Sequence, residues 1–205
     1  MKFVSTLIRV LFLALFIFLI ANGKTMLWFG VFAASLIAAV IFGRVYCGYA
    51  CPMNTLMLPT EWISKKLKIQ TDHTPKWLSS GNFGWVALVV SIGVMLYARN
   101  ILHKNIPILL IWLVVAVLVT LRYKPYVFHN LICPFGVLQK VFSRFAKSSH
   151  NVDAESCLGC KLCEPVCPSN AIEVKPVTKK AEIETSLCFK CTNCQQICPT
   201  NAIHK

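Results

Sequence analysis

Acidic side chains are scarce over the first 150 residues of this 205-residue chain, where Glu61 and Asp72 stand alone against 15 lysines and arginines. Residues 151–205 carry six of each sign, so the whole excess of +13 belongs to the first part. So basic a sequence could meet nucleic acid. Its charges border hydrophobic runs, however, and membrane topology explains them more simply, so no nucleic-acid partner is expected. There is also no Walker motif, GxGxxG, HExxH or C-x-x-C-H, which removes the grounds for nucleotide use and for covalent haem c. Within the apolar runs ionisable residues are nearly absent apart from Arg9, which argues against a transporter.

What remains is apolar: 56% of residues are hydrophobic and the mean hydropathy is +0.62. Four segments stand out, roughly 5–22, 27–42, 84–98 and 106–121. The later three run 15 to 16 residues, short of the ~20 that span a bilayer comfortably. Trp28, Trp85, Tyr97 and Tyr123 are expected to extend them into the interface. Basic residues cluster on one side: Arg44, Lys65, Lys66, Lys68 and Lys76 after the second segment, then Arg122, Lys124, Lys140, Arg144 and Lys147 after the fourth. The other side has Lys24, Arg99 and Lys104. The positive-inside rule then gives a multi-pass protein of the cytoplasmic membrane, with both termini in the cytoplasm. Lys2, Arg9 and the small residues near Ala21 to Gly23 also fit a secretory leader. The expectation is that it is retained, and its removal would leave the sidedness of the other spans unchanged.

The membrane part reads as a duplicated hairpin, because spans one and two lead to "YCGYACP" and spans three and four lead to "VFHNLICP". Each Pro opens an amphipathic stretch, so Pro52 and Pro134 are expected in first helical turns with Cys51 and Cys133 beside helix N-termini. Proline disfavours helical geometry in the residue before it, so the intervening residues are expected as loops, brought together at the cytoplasmic face. The expected domains are 1–145, helical and membrane-embedded, a linker at 146–156, and a cysteine-rich module at 157–205.

In that module "CLGCKLCEPVCPSNAI", 157–172, recurs as "CFKCTNCQQICPTNAI", 188–203, each copy C-x2-C-x2-C-x3-C-P. Eight of the 11 cysteines fall here. The spacing resembles the bacterial two-cluster ferredoxin pattern, in which three close thiolates hold one [4Fe-4S] cluster and the fourth, before Pro, ligates the other. Carried over, this implies Cys157, Cys160, Cys163 and Cys198 on one cluster, and Cys188, Cys191, Cys194 and Cys167 on the second, in a small α+β fold. Tetrahedral zinc is the other metal that four thiolates accept.

Taken together, the basic-flanked spans, "GRVYCGYACPMN", "ICPFG" and the C-terminal cysteine pattern resemble the polytopic ferredoxin-type membrane proteins, the NapH, NosR and CcoG group. The likeness runs from about residue 26 to 203, without room for a NosR-like flavin domain. It implies four transmembrane helices in two hairpins plus the ferredoxin-like domain. The implied function is a membrane-anchored iron-sulfur subunit relaying electrons between the quinone pool, or a membrane redox partner, and cytoplasmic clusters within a larger complex, possessed of quinol dehydrogenase character. The alternative is a metal-handling or assembly factor that reduces a metal such as copper.

This chain departs from the family where His129 replaces the first Cys of the second motif. A Cys47, Cys51, His129 and Cys133 set could hold a third iron-sulfur or metal centre. Cys47 and Cys51 could instead be a redox-active thiol pair, and all four could be packing residues. For quinone chemistry a proton acceptor is needed; Glu61, Asp72 and His73 are the candidates in the loop, each expected to be solvated, with His103 interfacial.

Overall fold

The computed structural model describes residues 2–71, 74–79, 81–101, 103, 106–146 and 149–204. Asp72 and His73, and the basic residues Lys104 and Lys147, lie outside them.

All four apolar segments are helices: α1 Lys2–Ala21, α2 Thr25–Phe42, α5 Phe83–Asn100 and α6 Ile108–Arg122. By length and composition, the first, second and third of these can cross a membrane, and only 11%, 17% and 17% of their apolar windows are buried within the protein. Their side chains therefore point outward as Leu, Val, Ile and Phe, a surface suited to lipid. At 1.5 Å per residue, 15-residue α6 is about 22 Å long, under the ~30 Å hydrocarbon thickness. Pro107 at its N-cap and the extended Tyr123, two residues ahead of Pro125, set those limits.

Between the hairpins lie α3 Pro52–Lys66 and α4 Lys76–Ser79, and after α6 come α7 Pro125–Val127 and α8 Pro134–Ser143. The two halves interlock: α3 of the first packs along α6 of the second, while α8 of the second packs along α2 of the first. Ser64 Oγ donates to the Leu121 carbonyl at 2.6 Å, and Gln139 Nε2 donates to Ser35 Oγ at 2.7 Å. Phe135, at the start of α8, stacks edge-on with Phe32 at 5.1 Å. Since Phe135 meets Phe32 and Gln139 meets Ser35, α8 runs parallel to α2, which turns its N-terminus into the bundle.

Cys51 consequently sits inside the bundle, sharing a small cavity with Phe32, Tyr46 and Leu109. Gly43, with φ of 70°, makes the reversal that sends the chain back in after α2. Trp28 also differs from expectation, being 1% exposed and donating to Tyr46 Oη at 3.1 Å, so it is a core residue and not an interfacial flank.

The C-terminal module has β1 Asn151–Val152, β2 Ile172–Val174, β3 Ala181–Ile183, the short helix α9 Asn193–Ile197 and β4 Ile203–His204. Antiparallel β1–β4 and β2–β3 pairs close it, so part of the segment read as linker is a strand here. Its small core joins Ile172, Val174, Ala181, Ala202 and Ile203 with Cys157, Cys163 and Cys194.

Candidate functional site

Both membrane motifs fold into one π-helical turn, Tyr46–Ala50 and Phe128–Ile132, where loops were expected. Each closes with an i→i+5 bond, Cys51 N–H to the Tyr46 carbonyl at 2.9 Å and Cys133 N–H to the Phe128 carbonyl at 2.8 Å. The extra residue in the turn is accommodated because Cys51 and Cys133 are pushed to extended backbone (ψ 118° and 119°) by the prolines that follow. Each cysteine then becomes the N-cap of a re-entrant helix. Cys133 Sγ accepts from Gly136 N–H at 3.3 Å, whereas Cys51 caps its helix without a side-chain hydrogen bond. Helix N-termini favour anions, so both thiols are placed where a thiolate is stabilised.

Cys47, Cys51 and Cys133 are all buried. Burial raises the pKa of each, to about 12 for Cys133, where proximity to Cys47 adds to it. Repulsion from Cys47 and Cys133 also raises Cys51, so the three thiols are neighbours. For Cys47 the burial is opposed by Arg44, whose Nη2 lies 3.8 Å from its Sγ.

His129 is 1% exposed, and burial, with Arg44 nearby, lowers its pKa to about 3, keeping the ring neutral. Its Nε2 lies 3.3 Å from Asn54 Oδ1. Asn54 Nδ2 donates to the Gly48 carbonyl at 3.5 Å, which fixes the amide so that Oδ1 accepts the Nε2 proton. That tautomer leaves a lone pair on Nδ1, which has no hydrogen-bond partner. Among the described residues no three His, Cys, Asp or Glu converge tightly enough to clasp a single metal ion. A cubane holds its thiolates at the corners of a wider tetrahedron, so this geometry bears on a mononuclear site and not on a cluster. The donor set fits a cluster: buried thiols at two helix N-termini, and a neutral imidazole with an unused lone pair.

Arg44 is 0% exposed. It donates to Asn130 Oδ1 at 2.8 Å and to the His129 carbonyl at 3.3 Å, and lies 4.9 Å over the Phe189 ring. Taking a guanidinium out of water costs several kcal/mol. A thiolate at the 3.8 Å of Cys47 would recover about 4 kcal/mol at an effective dielectric of ~20.

The module docks here. Phe189, 1% exposed, lies between Arg44 and the His129 ring, which it meets edge-on at 5.3 Å. Tyr49 Oη donates to the Lys190 carbonyl at 2.9 Å, Asn130 Nδ2 to the Ser169 carbonyl at 2.7 Å, and Ser143 Oγ to the Ser186 carbonyl at 3.0 Å. Phe189 and Lys190 sit between Cys188 and Cys191, so this cysteine group abuts the membrane motifs. Cys167 raises the pKa of Cys188, Cys191 and Cys194, after burial, and so lies among them across the repeat. Cys157, Cys160, Cys163 and Cys198 line one cavity at the far side, with Cys160 exposed. Backbone N–H groups of Ala171 and Ala181 reach Cys167 and Cys157 sulfur at 3.2 and 3.5 Å, contacts of the kind that tune cluster potential.

Beside the first π-turn an apolar cavity of about 820 Å³ opens between α1 and α2, lined by Ile8, Phe12, Ser35, Tyr46, Tyr49 and Thr192. Arg9 Nε donates to the Gly48 carbonyl at 2.8 Å and its guanidinium lies 5.7 Å over Tyr49. Glu61 pairs with Lys65 at 2.6 Å on the outside of α3, and His103 is exposed with φ of 50°. Sequence reasoning missed Arg44, Asn54 and Phe189, and only the position of Phe189 between two ligand-type cysteines could have signalled it.

A sequence family described as a 4Fe-4S dicluster domain matches residues 156–202. A second, described as a 4Fe-4S binding domain, matches twice, at 25–70 and 105–150. An uncharacterized protein of Methanocaldococcus jannaschii is 31% identical over 73% of this chain and 60% of its own length. The methylamine utilization ferredoxin-type protein MauN of Methylobacillus flagellatus is 27% identical over 70% of the chain and 54% of its own. The putative electron transport protein YccM of Escherichia coli is 22% identical over 74% and 48%. The chain thus spans about half to three-fifths of the length of these relatives. No solved structure matches. The chain therefore carries ferredoxin-type 4Fe-4S domains beside a helical region with apolar helices, and its relatives include ferredoxin-type electron-transport proteins.

Proposed function

We propose that this protein is a membrane-anchored iron-sulfur electron-transfer subunit of the NapH-like kind, crossing the cytoplasmic membrane four times with both termini and the ferredoxin module inside. The observation that carries this reading is the docking of the Cys188–Cys191 loop, through Phe189, against Arg44 and His129 in the membrane motifs. A redox module tethered by a flexible linker alone would need no such joint. Bound clusters supply one-electron carriers. The chain supplies Cys157, Cys160, Cys163 and Cys198 for the distal cluster, and Cys188, Cys191, Cys194 and Cys167 for the one beside the membrane.

Cys47, Cys51, Cys133 and the bare Nδ1 of His129 offer ligands for a third centre between them. Support comes from the unpartnered Nδ1 and from the 4Fe-4S binding family, whose two matched segments supply these four residues. The cavity at Tyr46 and Tyr49 suits a quinone ring entering from the lipid side, next to Thr192 and hence to Cys191. Redox partners in a larger complex would face the exposed Cys160 side. A second reading, reduction of copper, rests on the softness of the three buried thiols toward Cu(I), around which they would have to draw closer than they stand here. Iron, sulfide and copper analysis with EPR of the anaerobically purified full chain tests both. Iron beyond two cubanes is expected, whereas stoichiometric copper with iron for only two would favour the second reading.

A further inference from the structure

Around the three buried thiols the surroundings are largely apolar, and the charged and hydrogen-bonding groups that reach them are positive or donors. The N-termini of α3 and α8 open on Cys51 and Cys133, and Arg44 reaches Cys47. Among the described residues no carboxylate lies within ion-pair distance of Arg44, and its Nε has no partner despite complete burial. Glu61, the acid in the same part of the chain whose structure is described, is engaged with Lys65. A buried guanidinium without a counter-ion is not a stable arrangement in a low-dielectric interior. Neutral partners at Asn130 and the His129 carbonyl satisfy some of its N–H groups but none of its charge.

We infer that Arg44 is the internal counter-charge of an anionic thiolate centre built on Cys47, Cys51 and Cys133, a positioning residue that holds the centre's charge and sets its reduction potential. The inference rests on the third centre proposed above. It adds that the centre is negative in both redox states, and that the guanidinium, acting through Cys47 and through the Phe189 ring it covers, biases the cluster beside the membrane more than the distal one. A positive charge close to an electron-accepting centre favours its reduction. Removing the charge therefore lowers the potential.

The alternative is that Arg44 is a strut that only hydrogen-bonds the two motifs together. Arg44→Lys keeps the charge and loses the fork, whereas Arg44→Gln loses the charge and keeps part of the hydrogen bonding. Potentials of all centres would be measured by EPR-monitored titration of the full chain, with iron content. In Arg44→Gln the third centre is expected to become at least tenfold harder to reduce, about 59 mV for one electron. The cluster beside the membrane should move less in the same direction, the distal cluster should not move, and Arg44→Lys should stay near wild type. Loss of the third centre in Arg44→Gln but not in Arg44→Lys would support the inference equally. Unchanged potentials in Arg44→Gln, or equal loss in both variants, would overturn it while leaving the third centre standing. Wild-type protein with iron for two cubanes and no further signal would overturn the third centre itself, and the inference with it.

Discussion

At the residue scale, His129 and Gly48 separate ligand chemistry from packing. The bare, buried Nδ1 of His129 faces no donor, and in the proposed third centre the ring is the neutral ligand where the duplicate motif has Cys47. His129→Cys is expected to retain the centre's metal but to lower its potential, because a thiolate adds one negative charge, while His129→Ala should lose or loosen the metal. Wild-type metal content and potential in both variants would make His129 a packing residue. At Gly48 a Cβ would stand 2.5 Å from the Phe189 carbonyl, a backbone atom that cannot swing aside. Gly48→Ala should weaken docking by about 1–3 kcal/mol, the usual cost of overpacking, read as faster hydrogen exchange at 188–191 with the Cys157 region unchanged. The cysteine pattern of the 4Fe-4S domain was legible in sequence because metal chemistry fixes its spacing. Arg44 was not, since a basic residue after a span reads as a topology signal until its burial is known, and Trp28 was misread for the same reason.

At the element scale, the apolar runs announced α1, α2, α5 and α6 because hydrophobic length is a one-dimensional property. The π-turns and the re-entrant direction of α3 and α8 were hidden. They depend on which helix each amphipathic face meets, and the interlock of α3 with α6 and α8 with α2 joins residues far apart in the chain. The crossing cysteines make the module's repeats dependent on one another in the same way. Cys198 follows the second repeat's helix α9, yet shares a cavity with Cys157, Cys160 and Cys163 of the first. Cys198→Ser should therefore perturb the cluster held by that first trio and spare the Cys188 group, as two EPR signals reduced to one would reveal. Loss of only the Cys188 cluster would contradict the crossed assignment.

For the whole molecule, sidedness becomes a single question because the structure gathers the basic segments and the module at one end. Exposed Ser79, at the end of α4, lines the same cleft as Asn170 and Glu184 of the module and Arg144 beyond α8. The turns after α1 and α5 meet at the opposite end, where Ile20 and Thr25 share a cavity with Arg99 and Pro107. Only Lys24 and Arg99 represent the basic residues there among those described, whereas the module end has Arg44, Lys65, Lys66, Lys68, Arg122, Lys124, Lys140 and Arg144. Carrying that excess outward would oppose the membrane potential by about 2.3 kcal/mol per charge per 100 mV, which is the ground on which the proposed topology puts the module end in the cytoplasm. A cysteine at position 79, made as Ser79→Cys, should react with a membrane-impermeant maleimide in inverted vesicles and stay unlabelled in intact cells. Because Ser79 and the module share a cleft, labelling from the outside alone would move the clusters to the other face and reverse the proposed direction of contact with cytoplasmic partners.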